Sequence, residues 1–156
     1  MLDVTELVTI LSRNLSVLEQ QTRDVDHDAA LRPLFEGASH LNWLLGHLAV
    51  SRDAMLGALD RPAYATDPRM ERYRRGASPP SAERAVPTDE LLELLHAQQR
   101  ALASGLAESS EILPSPRGEG DGTVGDWLSF LVWHESYHVG QATLYRRAAG
   151  LASRLP

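Results

Sequence analysis

The sequence contains no cysteine and no lysine. Without cysteine there is no disulfide, no zinc-thiolate site and no cysteine nucleophile, so any thiol chemistry needs a thiol from outside the chain. Metal ligands must then be imidazoles or carboxylates. Because all 15 basic residues are arginine, Schiff-base and general-base lysine mechanisms are excluded too. Long apolar runs are also missing, none approaching the roughly 20 residues of a membrane span. The formal net charge of -6 argues against a phosphate-backbone binder, which needs a basic face to release counterions. Asp3 and Glu6 stand in the opening MLDVTELVTILSRNL where a signal peptide needs positive charge. The expectation is a cytoplasmic protein with neither a nucleic-acid nor a membrane partner.

What is present reads as one helical domain over residues 1–156, a length that buries roughly 70% of the unfolded surface and needs no staple. Val4, Leu7, Val8, Leu11, Leu15 and Leu18 form a helical stripe. A second helix is predicted from a Ser39 N-cap through Leu41, Leu44, Leu48, Met55 and Leu59, ending at Arg61-Pro62. Thr88 is the predicted cap of a third, with Asp89 and Glu90 in the positive first turn and Leu91, Leu94, Leu95, Leu102 and Leu106 along one side. Thr123 and Asp126 make a capping box for a fourth, whose stripe is Trp127, Leu131, His134, His138, Ala142, Tyr145 and Ala149. No segment alternates with period two. The fold class is all-α, a four-helix bundle burying four stripes. Residues 60–87 are far more than an antiparallel turn needs, so a crossover should let the third helix run parallel to the second. The links at 22–38 and 111–122 suit antiparallel turns.

The stretch VWHESYHVGQ (132–141) contains a literal H-E-x-x-H in His134, Glu135 and His138, the zinc-protease signature. One helical turn separates the two histidines, which can converge on one metal. A zinc protease needs a third ligand, usually downstream, but VGQATLYRRAAGLASRLP holds no His, Asp or Glu. The extended form fails as well, since Gly140 is one place early and Leu144 occupies the position of its third histidine. The third ligand must come from another helix, and His47 in NWLLGHLAVSRD, beside Leu44, Leu48 and Met55, is the candidate. A single apolar-face histidine is ordinarily satisfied by a backbone carbonyl, but three in this arrangement are hard to explain by packing alone. Gln141 lies on the face of His138 and could hold a water or substrate. Glu135, about 100° around the helix from His134, could act through a bound water as a base or as a partner supporting the metal ligands, or equally face solvent.

With WLLGHL on the second helix and HESYHVGQATLYRR on the fourth, the chain resembles the DinB-like superfamily of damage-inducible four-helix metalloproteins. The likeness spans essentially the whole chain and implies a metal triad of His47, His134 and His138. It also implies a divalent ion, most often zinc or nickel, and a homodimer. Some members are thiol-dependent transferases or isomerases acting on a low-molecular-weight thiol such as bacillithiol or mycothiol, which would make this a thiol S-transferase in stress response or detoxification. The alternative is a non-catalytic dimeric bundle whose metal or histidines are structural.

Within RMERYRRG, Arg72 and Arg74 are candidates to hold the carboxylates of a thiol cofactor or acidic substrate, though a solvated loop is the plainer reading. His40 is expected on the surface of a first helical turn, with a supporting place near the site as the alternative. His27 and His96 read as structural. GDGTVG (120–125) matches a nucleotide-binding glycine pattern, but no strand precedes it and Glu119, Asp121 and Asp126 would repel a pyrophosphate, so it reads as a loop.

Overall fold

Asp3 opens the first helix with a reciprocal box: its carboxylate accepts from Glu6 N at 2.8 Å, and the Glu6 carboxylate accepts from Asp3 N at 2.9 Å. In the computed structural model, which describes residues 2–118 and 122–154, this helix is α1, Val4–Thr22. A single turn, α2 (His27–Ala30), follows. The remaining long helices are α3 (Leu41–Ala58), α4 (Thr88–Glu108) and α5 (Val124–Ala148), with 3-10 turns at Pro68–Tyr73 and Ser110–Ile112. Among the described residues there is no strand, only the isolated bridges Pro33 to His40 and Pro116 to Thr123. The architecture is the all-α bundle the stripes called for. Of the GDGTVG stretch, residues 120 and 121 lie outside the described residues.

The four long helices form a ring in which α1 and α3 each pack on α4 and α5. Two apolar layers fix their directions. One gathers Leu18 of α1, Leu44 and Leu48 of α3, Leu91 and Leu95 of α4, and Ala142 and Tyr145 of α5. The other gathers Leu7 and Leu11, Met55 and Leu56, Leu102 and Leu106, and Leu128 and Val132. Hence α3 and α4 run in the same direction, as the long crossover predicts, and α1 and α5 run opposite to them.

Two caps differ from expectation. α3 is capped by His40 rather than Ser39: His40 Nδ1 accepts from Trp43 N at 3.0 Å, while its Nε2 donates to Pro80 O at 3.1 Å. His40 is therefore a buried structural residue, neither on the surface nor beside the site. Ser39 instead pairs its hydroxyl with Tyr145 Oη at 2.5 Å. α4 starts after Pro87 with no side-chain cap, because the Thr88 hydroxyl is engaged by Asn42 Nδ2 at 3.1 Å and by the His27 ring at 3.0 Å. The Thr123–Asp126 capping box of α5 forms as predicted.

The crossover is tied down by Tyr73. Its hydroxyl donates to Asn42 Oδ1 and accepts from Val86 N, both at 2.8 Å, so one phenol joins α3 to the approach to α4. The ring lies directly on Gly46: a Cβ there would sit 2.2 Å from its nearest atom, so only glycine fits.

Candidate metal centre

Position 47 on α3 and positions 134 and 138 on α5 meet because these antiparallel helices pack side by side. The His47 Nε2 is 3.4 Å from His134 Nε2, which is 3.1 Å from His138 Nε2. Ligands about 2.0–2.1 Å from a tetrahedral zinc lie roughly 3.3–3.4 Å apart, so this spacing suits one shared ion.

Proton bookkeeping supports the fit. A backbone carbonyl can only accept, so the 2.9 Å contact from His47 Nδ1 to Tyr73 O places the proton on Nδ1 and leaves Nε2 as a lone pair. His138 is oriented in the same way, its Nδ1–H donating to Gln141 Oε1 at 2.9 Å. Two lone pairs thus face a third imidazole whose Nδ1 is buried without a hydrogen-bond partner. Neutral His134 has one proton to share, so a cation is the natural occupant of the point where three nitrogens converge. Burial, followed by the repulsion of neighbouring His138 and His47, pushes His134 down to about 4, and burial likewise lowers His47 despite its bond to Tyr73 O. Both remain neutral donors at ordinary pH. The three form a group of residues able to hold a metal ion.

The model of the DinB superfamily matches residues 10–142, a span that contains all three histidines. The chain belongs to the DinB superfamily. No curated protein matches it.

In this DinB protein the triad lines one wall of a cleft of about 510 Å³, faced by Trp43, Trp127 and Phe130. Trp43 stacks on His47 with ring centroids 4.7 Å apart and planes 7° from parallel, fixing the imidazole from the side its hydrogen bond does not reach.

The other predicted site residues fare differently. Gln141 turns its carbonyl oxygen to His138, accepting from Nδ1–H and orienting that ring. Glu135 is neither a base beside the ligands nor a solvent-facing helix residue. Its side chain turns into the core, where its two oxygens accept from Arg52 Nε and Nη2, each at 2.9 Å. The physical reason is helical phase: α5 buries Leu128, Leu131, Val132, Glu135, Val139 and Ala142, so the inward face runs through 135 while 134 and 138 flank it. Arg74 is exposed and bonds its neighbour Glu71 at 2.6 and 2.9 Å. Arg72 lines a separate surface depression with Ser81 and Arg84. The crossover cation that does line the triad's cleft is Arg75. His96 meets Glu19 at 3.1 Å, away from the metal site.

Proposed function

We propose that this DinB protein is a thiol S-transferase that uses a divalent ion, zinc or nickel, held by His47, His134 and His138. The observation that carries the reading is the convergence of three imidazole Nε2 atoms, two with their tautomer fixed from behind, on the wall of an aromatic-lined cleft. A bound divalent ion would supply Lewis acidity, holding a small thiol as thiolate at neutral pH. The chain has no thiol of its own, so that thiol is a second small molecule. Transfer breaks the S–H bond with its proton passing to solvent, forms a bond from sulfur to an electrophilic carbon, and expels the leaving group with its electron pair. The protein's part is positional. Tyr73 O and Gln141 Oε1 hold two ligand rings in place, while Trp43, Trp127 and Phe130 keep water from the reacting atoms. Detoxification or stress response in the cytoplasm is the setting this chemistry fits. None of the helices among the described residues is long and apolar enough to cross a membrane.

A second reading, a non-catalytic homodimer with a structural metal, draws on the outer face of α5. Phe130, Trp133 and Tyr137 lie in a row there with centroids 5.8 and 6.2 Å apart, the first pair tilted and the second stacked, while 47%, 61% and 57% exposed, a patch suited to a second copy.

The test is elemental analysis of tag-free protein beside His47→Ala, His134→Ala and His138→Ala, together with conjugation of a small thiol to 1-chloro-2,4-dinitrobenzene. About one metal per chain, lost in all three variants along with turnover, is expected. Metal without turnover, in a stable dimer, selects the second reading, and no metal after reconstitution rejects both.

A further inference from the structure

The crossover delivers one cation to the cleft. Tyr73 is pinned through its ring on Gly46, its hydroxyl and its carbonyl, so the chain two residues later has little freedom in where it goes. Residues 74–77 close a turn through Ala77 N to Arg74 O at 3.0 Å. Gly76 supplies its left-handed position with φ +84°, which a side chain at the third place of such a turn would resist. There is open space around a Cβ at that position, so the glycine is needed for its φ alone. The turn leaves Arg75 on the rim of the cleft, close enough for its charge to act on both His47 and His134.

Arg75 is exposed and makes no hydrogen bond or ion pair among the described residues, unlike Arg69 and Arg74 on either side of Tyr73. No described residue lining the cleft is acidic, in a chain of net charge -6. The carboxylate nearest the triad in sequence, Glu135, is neutralised by Arg52. The Arg117 guanidinium lies 3.8 Å over the Trp127 ring and adds positive potential to the aromatic wall. The cleft thus combines a free guanidinium fork on its rim with flat apolar walls formed by Trp43, Trp127 and Phe130.

We propose that the cleft selects an organic carboxylate with a flat apolar body, Arg75 gripping the carboxylate in a two-point bond while the body lies between the aromatic walls. The proposal rests on the reading of this cleft as the substrate site and names the class of molecule that enters it. A planar carboxylate matches the guanidinium fork, and the apolar walls penalise small hydrophilic anions.

The experiment titrates zinc-loaded full-length protein with 2-naphthoate and with 2-naphthamide, which share shape and differ in charge, following tryptophan fluorescence and heat. Wild type is expected to bind naphthoate about tenfold more tightly, and Arg75→Gln to lose that preference while keeping its affinity for naphthamide and its metal content. Equal affinities in wild type overturn the proposal. So does a preference that survives in Arg75→Gln, which would put the carboxylate on the metal. The two readings separate cleanly. A wild type that takes up no metal yet still prefers naphthoate through Arg75 removes the transferase and keeps the carboxylate site, whereas intact metal and turnover with no charge preference does the opposite.

Discussion

Arg52 and Glu135 meet as a two-point ion pair at mid-bundle, both side chains fully buried, one residue from the ligand His134. Arg52 also donates to Leu95 O at 2.8 Å and to Leu11 O at 3.4 Å, so a guanidinium on α3 reaches α1, α4 and α5 at once. The pair lies between the two apolar layers and sets the rotation of α5, on which the direction of His134 and His138 depends. Removing one partner strands the other charge, and Arg52→Ala should destabilise the bundle by about 3–5 kcal/mol, lowering Tm by roughly 10 °C in calorimetry. Replacing both, as Arg52→Met with Glu135→Leu, should restore most of that loss. A single variant as stable as wild type would show that the pair is dispensable.

Gln141 touches the triad at His138, whose Nδ1–H it accepts. Gln141→Leu removes the acceptor for Nδ1–H and should weaken metal binding by about 10–100-fold in a competition titration with a chelator, with no loss of helix content. Gln141→Glu keeps an acceptor at that position and should retain tight binding. Equal affinities for the Leu variant and wild type would mean the ring is held by packing alone.

Glycines at two helical positions should respond in opposite directions. Gly46→Ala drives a methyl to within 2.2–2.6 Å of the Tyr73 ring, which must move and take Tyr73 O away from His47. A loss of about 1–3 kcal/mol together with weaker metal binding is expected. Gly140 is exposed inside α5 with nothing near a Cβ, and Gly140→Ala should gain about 0.5–1 kcal/mol of helix stability. Denaturant melts of the two variants check both signs.

Acid should loosen the metal-free protein in a defined window. His134 falls from 6.5 to about 4 on folding, and burial lowers His40 and His47 in the same direction. Between those values the unfolded chain binds more protons, so stability present above pH 6.5 is lost as pH falls towards 4. The urea midpoint of metal-stripped wild type should drop more steeply between pH 7 and 4.5 than that of His134→Ala. Parallel slopes would contradict the shift.

His134 and His138 were legible in the sequence because one helical turn brings two imidazoles to the same face whatever the rest of the chain does. His47 needed a bundle to bring it across, and the length of residues 60–87 indicated the direction of the helices in that bundle. A stripe drawn through His134 and His138 follows the edge of the cleft, while the core face, which includes Glu135, lies about one residue further round the helix. A charge set among Leu131, Val132 and Val139 carried the signal, as did Arg52 between Leu48 and Met55, since opposite charges inside two apolar stripes can only be buried together. Ser39 and Thr88 were poor guides for a related reason: their hydroxyls satisfy distant partners, which local capping preference does not anticipate. Arg75 differed from Arg72 and Arg74 only through the turn at Gly76.

The two ends of the metal site are 87 residues apart in sequence. An ion bridging them would close a chain loop far longer than any hydrogen-bonded turn, and the entropy such a closure removes from the unfolded ensemble grows with loop length. In a chain with no cysteine, an ion held by these histidines would take the place of a cross-link, one that would form or open with metal supply instead of with redox state.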